Sequence, residues 1–133
     1  MAQLTCIVVT PEKTALERKT SYVVLPLYDG EIGIAPLHSP LIGQLGFGEM
    51  RLRREDGGDD RFYLDGGFVQ VAHDVVTVLT SRAVPASALD VAVSQELVRS
   101  AARRPANSPE LLDIRDREVA RARAQLRVAR RAP

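Results

Sequence analysis

The 133-residue sequence predicts an antiparallel β-sandwich or flattened barrel followed by an antiparallel two-helix hairpin. Turn chemistry recurs about every 8 to 12 residues from Gln3 to Ser81, and between turns the apolar residues alternate. Beyond Val84-Pro85 glycine is absent, Ala and Arg dominate, and the apolar spacing lengthens to three or four. The sandwich is therefore assigned to residues 1–84 and the hairpin to residues 85–133.

LTCIVV (Leu4 to Val9) is a β-branched run that stops at Thr10-Pro11, and SYVVLP (Ser21 to Pro26) stops at the Asp29-Gly30 turn. EIGIA (Glu31 to Ala35) alternates, with Ile32 and Ile34 on one face. Glu49 to Arg54 sets Met50 and Leu52 against Glu49, Arg51 and Arg53, the pattern of a half-solvated strand. The glycines of Asp56-Gly57-Gly58-Asp59 permit the hairpin reversal that follows. Phe62 to Leu64, Phe68 to Ala72 and Val75 to Ser81 complete the strands, with turns expected at Asp65-Gly66-Gly67 and His73-Asp74.

Ser87 followed by Asp90 reads as an acidic capping box, so the first helix is expected to begin there. Leu89, Val93, Leu97 and Ala101 form its apolar stripe, and Pro105-Ala106-Asn107 ends it. Ser108 can cap a second helix, with Pro109 at its first position and Glu110 where the dipole favours an acid. Leu112, Val119 and Leu126 recur every seven residues, with Ala122 and Ala129 between them, so a close approach to the first helix is expected. Two such thinly apolar helices bury too little to offset the ordering of their residues at roughly 1 to 2 kcal/mol each. The hairpin must lean on the sandwich or on a partner, which makes it a candidate switch.

Apolar residues make up 45% of the chain and the formal charge is +1, so neither disorder throughout nor a global field for nucleic acid or membrane fits. With no Trp and 5% aromatics, a stacking platform for single strands is also disfavoured. Cys6, the one cysteine, lies in an apolar run and reads as a buried inert thiol. No run approaches the ~18 apolar residues of a membrane span, and the start of the chain lacks a basic region followed by an apolar core. The expectation is a soluble cytosolic protein that meets a membrane only through a partner.

Catalytic and metal sites are not expected. His38 and His73 are the two histidines, neither set beside an acid in a recognisable motif, and together with one cysteine they cannot supply a standard zinc site. No P-loop and no GxSxG elbow is present. In Pro36-Leu37-His38-Ser39-Pro40 the histidine is either a buried, hydrogen-bonded loop residue or a contact residue on a stiff docking loop. Pairs such as Asp113 to Arg117 account for the middle of the second helix. Arg121, Arg123, Arg127, Arg130 and Arg131, which follow the last acid, Glu118, are left without a partner in the helix, so an acidic partner surface is expected.

VVTPE (Val8 to Glu12), VVLPLYDGEIGIAPLHSPLIGQL (Val23 to Leu45), MRL (Met50 to Leu52), YLDGGFVQV (Tyr63 to Val71), VTVLTSRA (Val76 to Ala83) and Leu89-Asp90 together resemble the epsilon subunit family of bacterial-type F1Fo ATP synthases. The resemblance spans essentially the whole chain. It implies a ten-stranded N-terminal sandwich with a C-terminal helical hairpin, and a noncatalytic rotor subunit that clamps gamma to the c ring and couples proton flow to ATP synthesis. It implies that Glu31, His38 and Ile42 meet the c ring. It further implies that the hairpin can extend toward alpha and beta and restrain hydrolysis, its arginines facing an acidic segment of beta, on the cytoplasmic face of the bacterial inner membrane.

Three departures stand out. Leu37 occupies a position where the family often has glycine, so the local turn is expected to differ, and Phe47 replaces a frequent proline. The Ile/Leu-Asp-x-x-Arg-Ala motif through which some members bind ATP is degenerate here, reading Leu89, Asp90, Val91, Ala92, Val93, Ser94. Without the arginine no nucleotide or other cofactor is expected. The rival reading is a free-standing β-sandwich binding module with a helical dimerisation tail.

Overall fold

The alternation in the sequence is an alternation of burial. In the computed structural model, which describes residues 3–131, Leu4, Cys6 and Val8 of β1 (Leu4–Val9) face the core, while Thr5, Ile7 and Val9 face away. The other strands are β2 (Thr14–Thr20), β3 (Val23–Leu27), β4 (Gly30–Ile34), β5 (Leu41–Arg53), β6 (Asp59–Ala72), β7 (Val75–Leu79) and β8 (Ala83–Pro85). Their order is β2-β1-β7-β6-β5-β3-β4, with β8 on β6. The neighbours pair antiparallel except β1 and β7, which run parallel, a departure from the all-antiparallel expectation. Leu25, Ile34, Leu45, Met50, Leu52, Val69, Val71 and Val78 close with β1 into one core.

The described strands number eight, not ten, because two of them are long. β5 has 13 residues and β6 has 14, and each runs through stretches the sequence divides. Asp65-Gly66-Gly67 is a kink inside β6 rather than a turn between strands. Before it, Phe62 to Leu64 pair with β8; after it, Phe68 to Ala72 pair with β7. Both glycines have positive φ, 76° and 113°, and a Cβ on Gly67 would lie 1.9 Å from the Leu79 carbonyl oxygen. The Phe47 ring packs over Gly66, 3.5 Å from where a Cβ would sit, so the aromatic that replaces proline shields a bare stretch of backbone. β2, a mostly exposed strand of sequence TALERKT, has too little apolar alternation to be read in advance.

The chain divides into two compact units, Met1–Pro85 and Ala86–Pro133. In the second, α1 (Val91–Ala102) and α2 (Pro109–Arg130) pack together as a hairpin. Ser108 caps α2, its Oγ accepting from the Leu111 N–H at 3.1 Å, with Pro109 and Glu110 in the first turn as expected. The cap of α1 is Asp90, not Ser87: the Asp90 carboxylate accepts from the Val93 N–H at 2.9 Å, and Ala86–Ala88 forms a separate 3₁₀ turn. The buried face of α1 keeps the expected Ala101 but takes Ser94 in place of Val93 and Leu97. Ser94 and Ala101 are buried, whereas Val93 is 59% exposed and Leu97 is exposed too. Small side chains let helices approach closely, so they occupy the seam and the larger residues turn outward. On α2, Ala122, Ala124, Gln125 and Val128 are buried while Leu112 is exposed.

Candidate functional site

Along β5, β6 and β7 the inward positions are apolar, as a core requires, but so are several outward ones. Phe68 pairs with Leu79 on one side and with Gln44 on the other, and Leu79 pairs with Val9. One step along the same face, Ile42 pairs with Gln70, which pairs with Thr77, next to Ile7. Ile42 is 79% exposed and Phe68 57%, with Leu79 and the neighbouring Tyr28 also exposed. The Tyr28 N–H, just beyond β3, donates to the Gln44 carbonyl at 3.1 Å. The outward positions of these strands thus carry exposed Ile42, Phe68 and Leu79 among the polar Gln44, Gln70 and Thr77. The resemblance singles out Ile42; Phe68 and Leu79 are not singled out by the sequence, because only the strand register places them on one face.

His38 stands half-buried on the loop between β4 and β5, its Nδ1 2.7 Å from the Ser39 carbonyl oxygen, a contact that is a hydrogen bond when the proton sits on Nδ1. The preceding residues form a turn with the marks of type II: Pro36 at its second position, Leu37 with φ of 68° at its third, and His38 N–H donating to Ala35 O at 3.2 Å. Leu37 thus takes the conformation a glycine takes freely. The Leu37 N–H also donates to Asp74 Oδ1 at 2.7 Å, which ties this loop to the β6–β7 turn, close to where Leu41 pairs with Val71.

Glu31 belongs to a different set of contacts. Its carboxylate meets Arg51 at 3.3 Å; Arg51 also reaches the buried Glu49 at 3.1 Å, and Arg61 holds Glu49 from the other side. Glu49 is therefore not on a solvated face as the alternation suggested, because the two arginines satisfy it there. Burial alone would pull the Arg51 guanidinium down, but its bonds to Glu49 and Glu31 more than offset this and its pKa is raised. Of the three residues expected to share one interface, the structure ties His38 and Ile42 to the β6–β7 end and Glu31 to this arginine chain.

A second buried carboxylate, Asp65, accepts from the Tyr63 hydroxyl at 2.9 Å and from Ser81 Oγ at 3.3 Å, which secures the kink in β6. An open cleft lined by Arg18, Lys19, Arg53 and Arg54 is matched by acids: Arg18 pairs with Asp60, Arg53 with Asp59 and Arg54 with Asp56 and Asp60. The Asp56 carboxyl is held below the usual range by the Gly58 N–H and by Arg54. Burial pushes the Cys6 thiol up to about 12, against the smaller opposing pull of the Arg18 charge. Among the described residues no cluster of three or more His, Cys, Asp or Glu could hold a metal, and no helix is long and apolar enough to cross a membrane.

On the hairpin, Arg123, Arg127, Arg130 and Arg131 are exposed. Arg121 is not without a partner in the helix: its Nη1 lies 3.7 Å from Glu118, one turn earlier. Of the degenerate nucleotide motif, Leu89 is half-buried, Asp90 serves as the cap, Val93 is exposed and Ser94 is buried.

Comparison with known proteins bears on the family and the fold. Residues 3–86 match the family described as ATP synthase, Delta/Epsilon chain, beta-sandwich domain. An ATP synthase epsilon chain of Rhodopirellula baltica is 46% identical over 94% of this chain and 97% of its own length. One from Granulibacter bethesdensis is 33% identical over 98% and 99%. A chain of the Euglena gracilis mitochondrial ATP synthase, solved as the OSCP/F1/c-ring assembly, has the same fold with a TM-score of 0.85, at 20% identity, covering 97% of this chain and 82% of that one. A chain of the Tetrahymena thermophila mitochondrial ATP synthase central stalk and c ring superimposes with a TM-score of 0.68, at 13% identity over 95% and 96%. The chain belongs to the ATP synthase delta/epsilon family, as an epsilon-type, noncatalytic subunit of the rotary complex.

Proposed function

We propose that this chain clamps the gamma subunit to the c ring, so that torque from proton flow passes between them, on the cytoplasmic face of the bacterial inner membrane. The observation that carries the reading is the apolar outer face built by Phe68 and Leu79, bordered by Ile42 and the His38 loop. A sheet face of that composition is suited to a permanent partner such as gamma, while the stiff loop at its edge suits the polar ends of c subunits. Glu31, His38 and Ile42 are assigned to the c-ring contact.

The hairpin is the regulatory arm in this reading. Val93, Leu97, Leu111 and Ile114 expose apolar surface that a helical partner can cover, and the arginines near the end of α2 suit an acidic segment of beta. No nucleotide is assigned to the hairpin, because the residues at Val93 and Ser94 offer no phosphate-binding cation.

The test is isolation of the tagged chain from native membranes. Gamma and the c ring are expected to travel with it, and Phe68→Asp is expected to release gamma while leaving the fold intact. A stable homodimer indifferent to both partners would sink the reading in favour of a free-standing binding module.

A further inference from the structure

Glu31 sits where the backbone does little to hold a side chain. It lies on β4, the last strand in the sheet order, with Gly30 before it at φ of 144° and Gly33 after it. Its partner across the ladder is Pro26, which has no N–H to give to either neighbouring strand. A glutamate on such an edge, with its side chain 58% exposed, has many rotamers open to it.

Side chains supply what the backbone withholds. Arg51 reaches across from β5, and its Nη1 lies 3.3 Å from Glu31 Oε2 and 3.1 Å from Glu49 Oε1. Glu49 is buried and is gripped in turn by Arg61, which stands directly opposite Arg51 in the β5–β6 register. Arg51, itself only 17% exposed, is thus fixed at its base by the sandwich and touches the exposed carboxylate at its tip. An exposed ion pair of this length adds little to stability. Its effect is to confine the carboxylate before a partner arrives, which lowers the ordering cost of binding. We infer that Arg51 is a positioning residue for the c-ring contact: it holds Glu31 Oε2 and leaves Oε1 to accept a hydrogen bond from a polar group at the end of a c subunit. Arg51 acts through Glu31 and meets no partner itself. This inference rests on the c-ring reading above.

The experiment is a double-mutant cycle on wild type, Glu31→Ala, Arg51→Gln and the two together, each as the full chain with gamma. Affinity is measured for membranes that carry the c ring and have been stripped of F1, and thermal midpoints are recorded on the isolated chains. Arg51→Gln is expected to weaken binding roughly three- to tenfold when Glu31 is present and to cost no further affinity once Glu31→Ala has been made. It is expected to lower the midpoint in both backgrounds, because Glu49 loses one of its two arginines, so a purely structural role would not produce the split. If Arg51→Gln does not fold, Arg51→Lys, which keeps a cation beside Glu49, takes its place in the same cycle. An equal loss of affinity with and without Glu31 overturns the positioning role. So does full affinity in Arg51→Gln with Glu31→Ala weakened, which leaves the ring reading intact. Wild-type affinity in Glu31→Ala removes Glu31 from the contact and overturns the inference. Failure of the wild type to bind overturns both the inference and the ring reading.

Discussion

Arg61 grips Glu49 through two nitrogens, Nε at 2.8 Å and Nη2 at 2.5 Å from the same carboxylate oxygen, while Arg51 holds the other oxygen at 3.1 Å. Glu49 is buried on β5, and both arginines are largely covered. Removing the acid leaves two guanidinium groups close together, with only the exposed Glu31 still paired to Arg51. Glu49→Ala should destabilise the sandwich by about 2–4 kcal/mol, read as a lower urea midpoint, because breaking a buried pair costs more than the pair was worth. Glu49→Gln keeps a hydrogen-bond acceptor and should fall between the two.

The kink in β6 makes a second prediction. A Cβ at Gly67 would collide with the Leu79 carbonyl at 1.9 Å, in a backbone conformation with φ of 113° that already disfavours one. Gly57, in the β5–β6 turn, has φ of 88° but nothing within 4 Å. Gly57→Ala should therefore cost only the backbone term, about 1–2 kcal/mol. Gly67→Ala must push β7 away from β6 and should cost at least about 3 kcal/mol or prevent folding. Equal losses at the two sites would show that the close approach carries no energy.

These two glycines also explain where the sequence misleads. Asp-Gly-Gly has the same composition whether the chain reverses or merely kinks, so one 14-residue strand reads as two. The inward positions were legible because alternation and burial coincide, as at Leu4, Cys6 and Val8. Which outward residues lie together was not, because Phe68 and Leu79 become neighbours only through the β6–β7 register. On α1 hydropathy points to Val93, Leu97 and Ala101; Ala101 is buried as expected, but Ser94 is buried in place of Val93 and Leu97, since closeness of approach and not apolarity alone selects the packed face.

The first helix offers a direct test of its start. Asp90→Ala removes the acceptor for the Val93 N–H and should destabilise the hairpin by about 1 kcal/mol, with loss of helical ellipticity at lower temperature than in the wild type. Ser87 lies in the 3₁₀ turn and caps nothing in α1, so Ser87→Ala should change the midpoint by less than about 0.5 kcal/mol. The reverse ranking would return the start of the helix to Ser87.

Cys6 links the core to pH. Its thiol is raised from 9.0 to about 12 by burial, so the folded chain keeps the proton after the unfolded chain has released it. The contribution to stability is full below pH 9.0 and is lost progressively as pH rises toward about 12. Urea midpoints should fall over that window, and less steeply in Cys6→Ala, which has no thiol to ionise. At pH 8 the native thiol should react with a disulfide reagent only as fast as the sandwich opens.

The hairpin can be tested as a brake in the assembled complex. Deleting residues 86–133 removes both the exposed apolar residues and the arginines of α2, and leaves the unit that holds the apolar sheet face. ATP hydrolysis by the complex should rise several-fold while gamma stays bound. If the arginines of α2 supply the attraction, replacing Arg123, Arg127 and Arg130 with glutamine should release the brake in part. Inhibition by the intact chain should also weaken between low and high salt, because exposed charges are screened within about 8 Å at physiological ionic strength. Unchanged hydrolysis after the deletion would leave the helices as scaffold, and inhibition indifferent to salt would move the contact from the arginines to Val93 and Leu97.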